Sequence, residues 1–218
     1  MLAVTRGAPP SSEQICAARA FLAAADPALA RIEAVTPDFA WRLRERGFAG
    51  LLKLMVEQQV SLASAAAIWA RVESGLGEVS PAAVLALDDA GLQTLGLSRP
   101  KIVYARAIAQ AHVSGLHDFD SLRHLSDDDA AAALMRIKGI GRWTAETYLM
   151  FCEGRLDVFP GGDVALREAL RWADGAETRL NEKQAYLRAE AWKPYRAVAA
   201  HLLWRCYGAV KRGEIPPF

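Results

Sequence analysis

The chain has 218 residues, 52% of them hydrophobic, and a formal net charge of +1. That length allows one large domain or two small ones, and near-neutrality leaves any nucleic-acid binding to local patches. No run reaches the roughly 18 apolar residues of a membrane span, and the odd, widely spaced Cys16, Cys152 and Cys206 exclude a disulfide framework, a zinc knuckle and a four-thiolate cluster.

Alanine is abundant and β-branched runs are scarce, which predicts helices throughout. Ser11 and Gln14 form a capping box for a first helix to about Ala25. Asp26-Pro27 starts a second, and Thr36-Pro37 a third through Arg46, with proline at the first helical position. Gly47 to Gly50 breaks the pattern, Leu51 to Val56 is apolar and helical, and Glu57-Gln58-Gln59 is polar. Ser61 opens a long helix to about Leu76, Ser80-Pro81 caps the next, and Ser98-Arg99-Pro100 precedes one from about Lys101 to Val113. Ser126 with Asp129 caps a helix that enters residues 134–167, LMRIKGIGRWTAETYLMFCEGRLDVFPGGDVALR. The remaining helices fall near 163–173, 181–190 and 194–212. Roughly ten short helices and no alternating strand predict an all-α fold. The division is placed at a bundle of residues 47–155, with residues 1–46 and 156–218 packing together as a second subdomain. Residues 1–12 lack the apolar core of a signal peptide, so a cytoplasmic protein is expected.

The 134–167 stretch carries the chemistry. Gly139-Ile140-Gly141 lets the backbone turn with no side chain over the bend, and the amides that open the next helix suit a phosphate. Arg136, Lys138 and Arg142 flank the turn with no carboxylate nearby in this reading. Beyond the second helix, Pro160-Gly161-Gly162 delivers Asp163 to the start of another apolar-periodic run. The carboxy-terminal basic residues Arg188, Lys193, Arg196, Arg205, Lys211 and Arg212 read equally as a solvated face or a phosphate-binding one.

LMRIKGIGRWTAETYLMF followed by DVFPGGD resembles the helix-hairpin-helix DNA glycosylases, and among them the 3-methyladenine DNA glycosylase II (alkylated-base) branch. EQQVSLASAAAIWARV, LGLSRPKIVYARAIA and WKPYRAVAAHLLW extend the resemblance from about Phe48 to Gly208. The resemblance implies two helical subdomains with a DNA-binding cleft between them, and base flipping, because the glycosidic bond is out of reach inside the stack. It matches Asp163 to the catalytic aspartate, and Trp143 and Trp204 to tryptophans of the base pocket. Thr147, with Tyr148 beside it, stands where a pocket tyrosine is expected. Gly139, Ile140, Gly141, Arg142, Thr144 and Lys138 fall on the DNA-binding hairpin. Gln59 falls where the best-known bacterial member inserts a leucine wedge into the duplex.

Each residue also has a plainer reading. Asp163 is a helix N-cap worth about 1 kcal/mol, and Asp157, the competing carboxylate, is a loop hydrogen-bond acceptor. Trp143 and Trp204 are core filling, Gln59 is a helix cap, His201 is a buried histidine, and Trp69 and Trp172 are core. Position 143 is informative because relatives that also cut the strand carry a lysine there for Schiff-base chemistry, which tryptophan cannot perform. The reading is therefore a monofunctional, monomeric glycosylase that excises cationic alkylated purines from double-stranded DNA. It needs no metal or organic cofactor, though the resemblance allows a monovalent cation on hairpin carbonyls. The rivals are a glycosylase for neutral damaged or mismatched bases and a non-catalytic helix-hairpin-helix scaffold.

Overall fold

The computed structural model describes residues 9–37, 39, 41, 43–115 and 118–217. Among these are twelve α-helices, two short 3-10 helices and no strand. The helices are α1 (Ser12–Ala25), α2 (Pro27–Val35), α3 (Gly47–Glu57), α4 (Leu62–Leu76), α5 (Pro81–Ala86) and α6 (Asp89–Thr94), then α7 (Arg99–Val113), α8 (Asp127–Met135), α9 (Arg142–Phe151), α10 (Val164–Ala173), α11 (Glu182–Ala189) and α12 (Arg196–Lys211). No helix among the described residues is long and apolar enough to cross a membrane.

The chain forms two compact units, residues 44–153 and residues 1–43 with 154–218. The sequence reading puts the divisions after 46 and after 155; the structure puts them after Leu43 and after Glu153. Local bonding explains the difference. Arg44 N–H donates to Phe151 C=O at 2.7 Å, and Arg46 makes a two-pronged contact with the fully buried Glu153 at 3.0 and 2.9 Å. Leu156 C=O instead accepts the Ala197 N–H at 2.9 Å, which ties that side of the boundary to α12.

In the 44–153 unit, α3 is the central helix and packs on α4, α7 and α9, while α5 leans on α7 and α8 on α9. Leu51, Leu52, Met55, Ile102, Ile108, Leu134 and Leu149 form its core. Glycine at position 50 lets the chain entering α3 pass close by, because a Cβ there would stand 1.9 Å from Glu45 O. Gly47 to Gly50 is therefore the first turn of α3 and not the break expected from sequence.

In the other unit, α12 packs on α10, α2 and α1, with Leu22, Leu29, Ile32, Leu170, Val198 and Leu202 between them. The capping box of Ser11 and Gln14 is present, and Asp26 caps α2. Asp26 also accepts the Trp192 indole N–H at 2.7 Å and pairs with Arg188 at 2.5 Å. Burial raises its pKa, but the hydrogen bonds from Arg188, Trp192 and Ala28 outweigh that and hold the carboxyl below its usual range.

The third expected helix, 37–46, is not found among the described residues. Pro37, Phe39, Trp41 and residues 43–46 are not helical, and residues 38, 40 and 42 lie outside those described. Thr36 turns its hydroxyl onto Ile32 C=O at 2.6 Å and ends α2. Trp41 then anchors the segment from the side, buried against His201 with ring centroids 4.2 Å apart. Tertiary burial of one indole has overridden the local preference of Thr-Pro for starting a helix.

Candidate nucleic-acid interface and catalytic residues

The 44–153 unit carries a hairpin between α8 and α9. Gly139 makes the turn at φ +92°, and a Cβ there would meet the Tyr104 ring at 2.3 Å, so this position demands glycine twice over. Gly141 differs. It is extended, at φ −86° and ψ 172°, and a Cβ would meet nothing within 4 Å. Nothing in the fold asks for glycine at 141, so its lack of a side chain matters only to something arriving from outside. It is also the N-cap of α9 and supplies no side-chain cap.

The hairpin borders a groove of about 330 Å³ lined by Glu57, Gln58, Gln59, Gly139, Gly141, Trp143 and Thr144. The structure thus brings together five of the residues expected at the DNA or the base: Gln59, Gly139, Gly141, Trp143 and Thr144. Gln59 is exposed and is the one non-glycine among the described residues with positive φ, +56°. Such a conformation costs about 1–3 kcal/mol and persists only where the surroundings hold it. Gln58 beside it donates through Nε2 to Thr144 Oγ1 at 2.6 Å. Sequence reasoning missed Gln58, since nothing local links it to a threonine 86 residues away.

Several expected contacts need correcting. Ile140 is buried and its N–H is spent on Ile137 C=O at 3.0 Å, so it anchors the turn and offers nothing to a phosphate. Thr144 lines the same groove but is largely buried, its hydroxyl accepting from Gln58. Arg142 is not clear of carboxylates: Glu146, one helical turn on, holds its Nε at 3.0 Å. Lys138 is exposed but lines a different groove of about 620 Å³, with Arg136, Gln110 and Val113.

Thr147 and Tyr148 have no surface to give a base. Thr147 bonds back to Trp143 C=O at 2.6 Å and is buried. Tyr148 is wholly buried; its hydroxyl accepts Gly47 N–H at 2.8 Å and faces Glu153, and burial, then the neighbouring Glu153 and Cys152, pushes its ionisation well up. Thr147 thus braces the backbone at Trp143, while Tyr148 ties α9 to the start of α3.

In the unit formed by the chain ends, Asp163 is the N-cap of α10, its Oδ1 accepting the Leu166 N–H at 3.0 Å while its own N–H donates to Pro160 C=O at 2.8 Å. These bonds fix the carboxylate at a half-exposed position. On the neighbouring α12, half-exposed Trp204 meets His201 edge to face at 6.0 Å, and Phe39 stacks on His201 at 5.4 Å. Burial and the Arg205 guanidinium pull the His201 pKa down to about 4, so it is neutral at physiological pH. Trp69 and Trp172 are buried. Asp157 is held by Arg196 at 2.8 Å.

The carboxy-terminal basic run is mostly spent on ion pairs: Arg188 with Asp26 and Asp174, Lys193 with Glu190, Arg196 with Asp157 and Glu190, Arg212 with Glu214. Three of those acids, Asp26, Asp157 and Asp174, lie outside the run, which is why it reads as unpaired in sequence. No cluster of three or more His, Cys, Asp or Glu suited to a metal ion occurs among the described residues.

The family model for the HhH-GPD superfamily base excision DNA repair protein matches residues 52–196, two-thirds of the chain and the whole of the hairpin–Asp163 segment. The chain belongs to the HhH-GPD superfamily. Within it, DNA-3-methyladenine glycosylase 1 of Schizosaccharomyces pombe is 30% identical over 166 residues, covering 74% of this chain and 73% of that protein. DNA-3-methyladenine glycosylase 2 of Escherichia coli K12 is 26% identical over 192 residues, 83% of this chain and 65% of that protein. The chain spans 57% of a Bacillus subtilis protein to which it is 28% identical. Among solved structures, the S. pombe 3-methyladenine DNA glycosylase in complex with abasic DNA superposes with a TM-score of 0.80, at 25% identity, over 93% of this chain and 98% of that one. A Bacillus halodurans DNA-3-methyladenine glycosidase gives 0.79 at 32% identity over 89% and 91%. The hairpin between α8 and α9 is thus set in an all-α fold shared with a relative solved on abasic DNA.

Proposed function

We propose that this HhH-GPD protein is a DNA glycosylase of base excision repair that hydrolyses the N-glycosidic bond of alkylated, cationic purines in double-stranded DNA and leaves the strand uncut. The observations that carry the reading are the ordered Asp163 N-cap in one unit and, in the other, an α9 that opens Arg142-Trp143 behind a Gly141 N-cap. The names of the relatives support the substrate class.

Methylation at N3 or N7 makes the purine a cation and a good leaving group, so the bond can lengthen toward an oxocarbenium-like sugar. Asp163 would stabilise that positive sugar or orient the attacking water. The open backbone at Gly141 admits a phosphate to the start of α9, where the helix dipole favours an anion. Trp143 presents a flat electron-rich face to an extruded base, and Trp204 does so from its own unit. Gln59 would fill the stack a flipped nucleotide vacates. A monovalent cation at the hairpin would be held by backbone carbonyls of the turn. The chain acts as a monomer on DNA in this reading.

The test is incubation with N-methylated duplex DNA. Free 3-methyladenine and 7-methylguanine should appear, with no strand scission and no protein–DNA adduct trapped by borohydride. Release of hypoxanthine faster than of the methylated purines would favour the neutral-base rival, and DNA binding with no release at all would favour the scaffold.

A further inference from the structure

The bend after α3 is tied from two directions, and the tie from α7 has no role in the reading above. Lys101, in the first turn of α7, donates from Nζ to Val56 C=O at 2.6 Å and to Gln58 C=O at 3.0 Å. These carbonyls belong to the end of α3, where helical acceptors lack partners and a cation is favoured. No carboxylate is paired with Lys101 among the described residues, and Glu57 of the same bend is taken by Arg44. Burial lowers the Lys101 pKa, the mark of an ammonium withdrawn from water to serve backbone acceptors. The second tie is the Gln58 amide on Thr144 of α9. Immediately after these tied residues comes Gln59 at φ +56°, exposed and lining the same groove as Trp143.

We infer that Lys101 is a positioning residue for the reaction: it holds the Val56–Gln58 backbone so that Gln59 stays in its strained, outward conformation, ready to take the place of the extruded nucleotide. The inference rests on the wedge reading of Gln59. A lysine 43 residues further along the chain thereby controls flipping without touching DNA. Its loss should hurt the reaction only where a paired, stacked base has to be removed.

The experiment compares wild type, Lys101→Met, Lys101→Arg and Gln59→Ala in single-turnover release of 7-methylguanine from two duplexes. In one the lesion faces cytosine; in the other it faces an abasic analogue, so that extrusion is already easier. Hydrogen exchange of residues 55–61 is measured in parallel, with thermal melting as the control for folding. Lys101→Met should release the paired lesion about tenfold more slowly and the unpaired one within about twofold of wild type. Exchange in 55–61 should quicken, and Lys101→Arg should restore both readouts. Equal losses on the two duplexes, or unchanged exchange in 55–61, would overturn the inference. If Gln59→Ala shows the paired-duplex loss and Lys101→Met does not, the inference fails and the wedge reading stands. If Lys101→Met quickens exchange while Gln59→Ala loses nothing on the paired duplex, the wedge reading fails and takes the inference with it. Should wild type release no methylated base, the glycosylase reading is what fails, and the exchange data still decide whether Lys101 holds the bend.

Discussion

The hairpin of the 44–153 unit and the α10–α12 region of the other unit are built on opposite principles. At the hairpin, what counts is side chains that are absent: Gly139 clears Tyr104, Gly141 clears whatever approaches, and the expected contacts at Ile140, Thr144, Thr147 and Tyr148 are turned inward. At α10 and α12 it is side chains in place, a carboxylate fixed by an amide and an indole edge-on to a neutral imidazole. A backbone surface grips any duplex, whereas a placed carboxylate and aromatic faces act on the particular base and sugar. Mutations in the two regions should therefore separate binding from chemistry.

The largest expected effect is at Asp163. Asp163→Asn keeps the size and part of the cap, so stability should fall by about 1 kcal/mol or less. Excision should drop by a factor on the order of hundreds, as expected when a partner of transition-state charge is lost. A variant that folds normally and excises at near wild-type rate would reduce Asp163 to a cap and erase the contrast.

Next come the aromatic faces. A cation over an indole gains about 0.5–2 kcal/mol, at most roughly thirtyfold, and a neutral purine gains only stacking. Trp143→Ala and Trp204→Ala should each slow release of 7-methylguanine more than release of hypoxanthine, measured in matched duplexes under single turnover. Equal losses on both bases would leave leaving-group ability as the sole source of selectivity.

A further effect, on stability and not on excision, concerns pH. His201 titrates near 4 in the folded chain against 6.5 ordinarily, so between those values the unfolded chain carries a proton that the folded one does not. Stability should therefore rise with pH from about 4 to 6.5 and be flat in this contribution above that, with a slope of at most about 1.4 kcal/mol per pH unit. In His201→Phe that part of the slope should vanish in denaturant titrations at stepped pH; an unchanged slope would place the proton uptake elsewhere, with the depressed Asp26 acting at lower pH.

What could be read from sequence follows the range of the interactions. Caps at Ser11, Asp26, Ser61, Ser126 and Asp163, and the glycine turn at 139, are set by residues within three or four positions, and the structure has them. The described part of 37–46 was illegible because its ties are distant: Trp41 on His201, Arg44 on Phe151 and Arg46 on Glu153. On α9, residues 144–150 are buried around the whole helix, so periodicity could not say which of Thr144, Thr147 and Tyr148 faced outward. Lys101 and Gln58 gave no signal at all, since their partners lie 43 or more residues away.

The most direct test of the division between grip and chemistry sets Gly141→Val beside Asp163→Asn on a duplex carrying 7-methylguanine. Affinity for damaged and undamaged DNA and single-turnover excision at saturating protein are measured for both. Gly141 has ordinary φ and open space around its missing Cβ, so the valine variant should melt within about 4 °C of wild type. It should bind both duplexes about tenfold more weakly, as one charge-assisted phosphate contact is lost, and excise at near wild-type rate once saturated. Asp163→Asn should show the reverse, normal binding and excision reduced by hundreds. A Gly141→Val variant that binds normally yet excises slowly, or that loses affinity for damaged DNA alone, would put the hairpin in the chemistry and contradict the account.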